Sequence, residues 1–429
     1  MLVEFRVKNF RSIRDEQVLS LVASSDKTLR DTHVHETGLR AVPGVLRSAV
    51  IYGANASGKS NIVKALKYMR DVVLESAKTV QPDQTFNVQS FRFDQESIGN
   101  ATEFELTFLK DGVRHEYGFS MTQKRFLSEF LVVYKSAKPQ HWFERWYNED
   151  TDSDDYQYKT GLTGPKQVWE EATRPNALFL SMASQLNSKA LQSIYEWFAE
   201  DLVIFNEDQR LTPSYTAKIF STGRFEDDNA PAEETVIGFI SAADISVEKI
   251  EVETKKAPGK AVYFDLFTEK TEVRDEEMEQ HRIRFHHTGD GGSAAFDFED
   301  ESAGTRSLFA LAGPIIDILK RGKSLVIDEL DTSLHPLIVR KLVSMFNDTG
   351  TNTGNAQLIF TTHDTSLLEA TGLFRRDQIW LTEKGQDQAT KLVALSEFSP
   401  RKGEALERGY LSGRYGGIPF LDPEMKLRL

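Results

Sequence analysis

Nine residues, GANASGKSN from Gly53 to Asn61, restrict this chain more than any other stretch. Gly53, Gly58, Lys59 and Ser60 follow the spacing G-x-x-x-x-G-K-S. Ahead of them LRSAVIYG, ending at Gly53, is an apolar run that reads as a strand. Behind them NIVKALKYMRDVV places Ile62, Ala65, Leu66, Met69, Val72 and Val73 on one helical face. A strand, a glycine loop and a helix start in this order let successive backbone N–H groups converge on an anion at the positive end of the helix. The stretch therefore reads as a phosphate cradle formed by Gly53, Asn55, Ser57, Gly58, Lys59, Ser60 and Asn61. Lys59 supplies a charge to the phosphates and Ser60 a hydroxyl to a Mg²⁺ ion. A chance glycine turn would have to satisfy spacing, preceding strand and following helix together.

Two further segments end apolar runs with chemistry-bearing residues. SLVIDEL puts Asp328 and Glu329 at the carboxyl end of a strand, where a parallel sheet gathers its ligand-binding groups. Asp328 is expected to hold Mg²⁺, and Glu329 to orient or deprotonate an attacking water. LIFTTHD carries His363 to the same edge, where it is placed to touch a terminal phosphate. The plainer alternatives are a solvated acidic turn for the pair and a packed or capping residue for the histidine.

The chain has 429 residues, room for two or three domains. A net charge of −13 leaves no broad positive field to draw in nucleic acid or an anionic membrane, so any DNA contact has to be a local patch. The sequence shows no apolar run of membrane-spanning length, and MLVEFRVKNF alternates like a strand rather than a signal peptide. With no cysteine there are no disulfides or thiolate metal sites. A soluble, cytoplasmic protein is the expectation.

Between Phe91 and Phe130 the runs become short and alternating, with Asp111-Gly112 a hairpin signal, so an antiparallel sheet is expected there. NEDTDSDD (148–155) reads as a solvated loop, the segment from Asn176 to Phe198 as helical, and Arg224 to Thr235 as a mobile loop. KAVYFDLF and HRIRFHH read as strands; His281, His286 and His287 lack the acids and spacing of a metal site. From Glu301 onward helices and strands alternate, the pattern of a parallel sheet. The resulting expectation is an α/β fold: a P-loop ATPase head with a mixed, mainly parallel core sheet, an antiparallel β subdomain and an inserted, mainly helical lobe. Its expected parts are 1–135, an inserted lobe 136–260, a second ATPase part 261–400 and a tail 401–429.

The order of motifs, phosphate loop, then EDESAGTRSLFAL, then IDELDTSLHP, then TTHD, resembles the ATP-binding-cassette ATPases of the SMC, Rad50 and RecF kind. On that resemblance Ser302 and Gly304 stand where the family signature meets the γ-phosphate of nucleotide held by a second protomer. The resemblance thus implies a homo-oligomer with ATP between two heads. Glu301, Ala303 and Thr305 depart from the strict signature, and Ser302 serves equally as a helix N-cap. Asp331 matches an aspartate that contacts the opposite head. Gln89 matches the glutamine that joins Mg²⁺ and the attacking water, with Gln81 and Gln84 as competitors. Arg11, in NFRSI, resembles an arginine that approaches nucleotide or DNA; a surface charge is the alternative.

GANASGKSN, SFRFD, NALFLSMASQLN, IDELDTSLHP and ERGYLSGRYGGIPFL together resemble more closely the bacterial AAA15-type, RloA-like ATPases of the OLD and ABC superfamily. That resemblance implies ATP and Mg²⁺ as cofactors and a part in anti-phage defence beside a separately encoded effector, a nuclease among the candidates. Only 66 residues follow His363, so a nuclease domain within these residues is not expected. About 240 residues, without sustained heptads, separate the phosphate loop from Ser302, so long coiled-coil arms are not expected. The rival reading is an ATP-dependent DNA-binding or repair factor of the RecF type. The tail, with Gly413, Tyr415, Gly416 and Gly417, reads as a partner-binding arm or a plain glycine-rich terminus.

Overall fold

A computed structural model describes residues 1–418 apart from 207–211, 224, 226–230, 244, 265–270 and 401–402. Its mixed α/β architecture is built on two large sheets. In the six-stranded sheet the order is Leu202–Phe205, Ser324–Ile327, Gln357–Thr361, Ser48–Gly53, Ile379–Lys384 and Thr390–Ala394; every neighbouring pair is parallel except the last. The central strands Ser324–Ile327, Gln357–Thr361 and Ser48–Gly53 are buried at every position because both faces are covered. Along Ser48–Gly53, Ala49 and Ile51 enter one core while Val50 and Tyr52 enter the other. The same alternation separates Val326 from Leu325 and Ile327, and Ile359 from Leu358 and Phe360.

On the first face lies the helix Lys59–Glu75, which buries Ile62, Ala65, Leu66, Met69, Val72 and Val73, the face read from the sequence. Beyond it stands the seven-stranded antiparallel sheet, in which Thr102–Lys110 and Val113–Met121 are joined at Asp111-Gly112, both with positive φ. On the opposite face the helices Ala303–Arg321 and Pro336–Asn347 cover the parallel sheet.

Two details hold these layers in place. Buried Gln357 accepts from Leu2 N and the Ser324 hydroxyl and donates to the carbonyls of Leu2 and Leu46, so one amide ties the first antiparallel strand to the parallel sheet. Pro314 interrupts the helix Ala303–Arg321 and denies the Ala310 carbonyl its usual donor. The Thr216 hydroxyl, from the helix Ser214–Thr222, donates to Phe309 and Ala310 carbonyls and accepts from Gly313 N, splicing the break.

Several expectations are corrected. The antiparallel sheet continues past residue 135 through Gln140–Asn148 and Ser153–Gln157, so the boundary read at 135/136 cuts across it, and the one at 260/261 falls inside the strand Lys249–Phe264. NEDTDSDD is a hairpin tip and strand: Asp152 adopts positive φ, and Asp154 pairs with buried Arg145 at 2.6 Å. The helical run from Asn176 breaks at Asn187, whose φ is positive, and restarts with Ser188 as N-cap. Part of the stretch read as a mobile loop is the helix Ala232–Ser241; residues 224 and 226–230 lie outside the described residues. The tail, read as a partner-binding arm or a plain glycine-rich terminus, packs on the parallel sheet through Tyr410, Tyr415 and Ile418; its residues 401–402 and 419–429 lie outside the described residues.

One buried base carries a pH prediction. His115, stacked on Phe108 with ring centroids 5.1 Å apart, is held neutral by burial, which lowers its pKa to about 4. The unfolded chain binds a proton there near pH 6.5, so it holds more protons than the folded state between about pH 6.5 and 4, and this contribution to stability is lost as pH falls across that window. His115→Phe keeps the ring. Urea unfolding at pH 7 and pH 4.5 is expected to show a smaller acid loss in the variant, by up to roughly 3 kcal/mol.

Candidate functional site

Parallel register brings the sequence-distant motifs to one edge. Ile327 lies beside Phe360, Thr361 beside Ile51, and Gly53 beside Thr382, so the residues that leave these strands at their carboxyl ends become neighbours. The glycine loop sits where its close approaches demand glycine. Gly58 has φ +111°, and a Cβ there would stand 2.1 Å from the Thr390 hydroxyl. Ser57 is locked by its hydroxyl to Thr382 (2.6 Å) and by its carbonyl to Thr390 (2.9 Å). Asn61 donates to the Ser12 hydroxyl, which also pairs with Thr390, so the turn after Phe10 is seated against the start of the phosphate-loop helix.

Lys59 is buried, and its ammonium donates to the carbonyls of Gly53 (2.8 Å) and Ala54 (3.2 Å). Burial lowers its pKa below the usual lysine value, while Asp328, Glu329 and Asp331 pull it back. That three-carboxylate field on Lys59 is the electrostatic sign that the glycine loop and the IDELD segment form one site.

The acids are arranged by a residue that the sequence reading passed over. The fully buried Thr361 hydroxyl donates to Asp328 Oδ1 at 2.6 Å and accepts from Glu329 N at 2.7 Å. Leu330 N donates to the Thr361 carbonyl, and Glu329 is held at φ +56°, a strained geometry for a non-glycine residue. Asp328 Oδ2 is buried without a partner. A buried carboxylate oxygen left unpaired is costly in a protein alone and suits a hard, oxygen-seeking cation, so Asp328 fits the Mg²⁺ role expected of it. Thr361→Val preserves shape and removes both hydrogen bonds. We expect about 10- to 100-fold weaker apparent Mg²⁺ affinity, read by titrating the metal at fixed nucleotide.

His363 Nε2 stands 3.8 Å from Glu329 Oε1, both side chains open to solvent. Asp331 accepts from His363 N at 3.3 Å and keeps Oδ1 buried and unpaired, so this aspartate, read as a contact to an opposite head, also steadies the histidine loop of its own chain. Ser302 is the N-cap of Ala303–Arg321, accepting from Thr305 N, and remains exposed. Gly304 lies beside the same edge: a Cβ on it would be 3.5 Å from the Ser333 carbonyl.

Gln89 is positioned by its main chain, its carbonyl accepting from Arg11 N. Gln81 and Gln84 are instead gathered with Asn176, whose amide donates to both carbonyls. Arg11, with positive φ, lies next to Ser12 and so beside Asn61 of the phosphate loop. Of the histidines in HRIRFHH, His281 meets Thr254, His286 meets Glu251 and His287 meets Glu301. No helix among the described residues is long and apolar enough to cross a membrane.

Comparison with known proteins bears on the same residues. The model of a family described as "AAA domain, putative AbiEii toxin, Type IV TA system" matches residues 48–369, a span that runs from the strand before the glycine loop to the segment after His363. No curated protein matches the chain. Solved structures similar to it include the SMC head domain from Thermotoga maritima, 15% identical, with 92% of this chain and 98% of that one covered at a TM-score of 0.40. Another is an SmcHead bound to the C-winged helix domain of ScpA, 13% identical, covering 92% and 97% at a TM-score of 0.37. Both superpose too loosely to equate residues.

Proposed function

Because the chain belongs to this family of AAA domains, we propose that it is a Mg²⁺-dependent ATPase whose nucleotide-driven head contacts control a separately encoded effector in anti-phage defence. The observation that carries the chemical half is the meeting of Lys59, Asp328, Glu329 and His363 at one sheet edge. In this reading the loop N–H groups and Lys59 bind and orient the phosphates of ATP. Ser60, Asp328 and the side chain of Gln89 would hold Mg²⁺, which would supply charge to neutralise the phosphates. Glu329 accepts a proton from the attacking water, and its positive-φ backbone, fixed by Thr361, sets the direction from which that water comes. His363 donates toward the terminal phosphate and shares the Glu329 side of the site.

Exposed Ser302, with partly buried Gly304 beside Ser333, supports a second role: presenting a helix start to nucleotide held by another copy, with Asp331 at the same contact. The family description speaks of a toxin in a Type IV TA system, consonant with a chain that works beside a second gene product.

The test is phosphate release by the purified chain with ATP and Mg²⁺, with sedimentation in parallel. Turnover abolished by a chelator, and a larger particle with ATP than without, support the reading. Failure both to bind and to hydrolyse ATP would overturn it. Strong stimulation of turnover by duplex DNA would favour the DNA-clamping alternative, against which the net charge of −13 speaks.

A further inference from the structure

The family match ends at residue 369, yet the segment after it reaches the site. Residues 403–418 lie across the carboxyl edge of the parallel sheet and touch both loops that carry the chemistry. Glu407, on the short helix Leu406–Leu411, accepts from the Thr365 hydroxyl at 2.7 Å, two residues past His363. The Tyr410 ring packs on Tyr52, the residue before Gly53, with centroids 5.8 Å apart, and its hydroxyl donates to the Gly417 carbonyl. Tyr52 in turn donates to the Asp364 carbonyl, so it links the glycine loop to the histidine loop. The chain then turns through Gly416 and Gly417, both near φ +70°; a Cβ on Gly417 would be 3.3 Å from the Thr382 carbonyl and 3.7 Å from Gly53 Cα. This explains the paired glycines of RYGG: left-handed backbone and close approach to the phosphate loop are required together.

We propose that the carboxyl-terminal arm, residues 403–418, is a working part of the nucleotide site, in which Glu407 is a positioning residue that holds the His363 loop at a fixed distance from the phosphate loop. The proposal rests on the ATPase reading and deepens it. A cap that only sealed the apolar core would need Tyr410, Tyr415 and Ile418, all packed in that core. It would have no use for a carboxylate bonded to the loop of His363, nor for a tyrosine hydroxyl that fixes the backbone passing over Gly53.

The experiment compares the full chain with Glu407→Ala, Glu407→Gln, Thr365→Ala and the Glu407→Ala/Thr365→Ala pair. Turnover, KM for ATP and melting temperature are measured, together with hydrogen exchange of residues 362–368 with and without a non-hydrolysable ATP analogue. Glu407→Ala is expected to lower kcat about 10- to 100-fold with KM and melting temperature near the parent's, because a shift of about 1 Å in a catalytic loop costs on that order. Glu407→Gln, whose amide oxygen still accepts, should restore most of the rate, and the double variant should be no slower than the slower single one. Exchange at 362–368 should rise in Glu407→Ala. Parent-like kcat and exchange in Glu407→Ala would overturn the proposal, as would a loss of rate that only tracks a fall in melting temperature. If the parent itself does not hydrolyse ATP, the ATPase reading fails while the exchange result still decides whether the arm holds the histidine loop.

Discussion

Glu329→Gln is expected to slow phosphate release about 10²- to 10⁴-fold while leaving ATP bound. The change removes the carboxylate that takes the proton from water, a role with that typical worth, or roughly 3–5 kcal/mol of barrier. It spares the shape of the side chain, the backbone N–H bond to Thr361 and the buried Asp328. With hydrolysis slowed and binding intact, ATP-bearing heads should stay associated, so sedimentation with ATP is expected to show a longer-lived oligomer than the parent gives. A variant that hydrolyses at the parent rate would remove Glu329 from the mechanism.

Lys59→Ala should act on binding as well as on rate. The buried ammonium offsets the field of Asp328, Glu329 and Asp331, and without it the phosphates of ATP would meet that negative field uncompensated. Loss of one preorganised charge at transferring phosphate costs on the order of 10²–10³ in turnover. Titration with a fluorescent ATP analogue is expected to show affinity falling steeply in the same variant. Unchanged affinity together with unchanged turnover would refute the phosphate-loop assignment. In the folded protein Lys59 also satisfies the Gly53 and Ala54 carbonyls, so circular dichroism should accompany the assay to confirm that the loop variant is folded.

The motifs were legible because each is contiguous and chemically unusual for its setting. A lysine beside a glycine-rich turn after an apolar strand, or two acids at the end of SLVIDEL, serves few purposes besides holding phosphate and metal, and parallel pairing then brings the strand ends together. Thr361 was not legible: a threonine in LIFTT is an ordinary strand residue, and its work depends on Asp328 and Glu329, more than thirty positions away. The same holds for Thr216, which only a proline in a distant helix makes necessary, and for Glu407, whose meaning lies in Thr365. NEDTDSDD shows the converse at its end. Glu149 to Asp152 form the exposed turn that its acidity suggests, but Asp154 is engaged by Arg145 inside the sheet packing. Gln89 shows the limit from the other side, since its position beside Arg11 is set by backbone bonding that no side-chain pattern announces.

The amide of Gln357 has a mechanical consequence. Its two bonds to Leu2 cross the seam between the sheets, and sliding one sheet past the other would break both in a water-free place. That rivet makes the paired sheets a stiff chassis. Any nucleotide-driven displacement must then be taken up at the strand-end loops and in the elements hung from them.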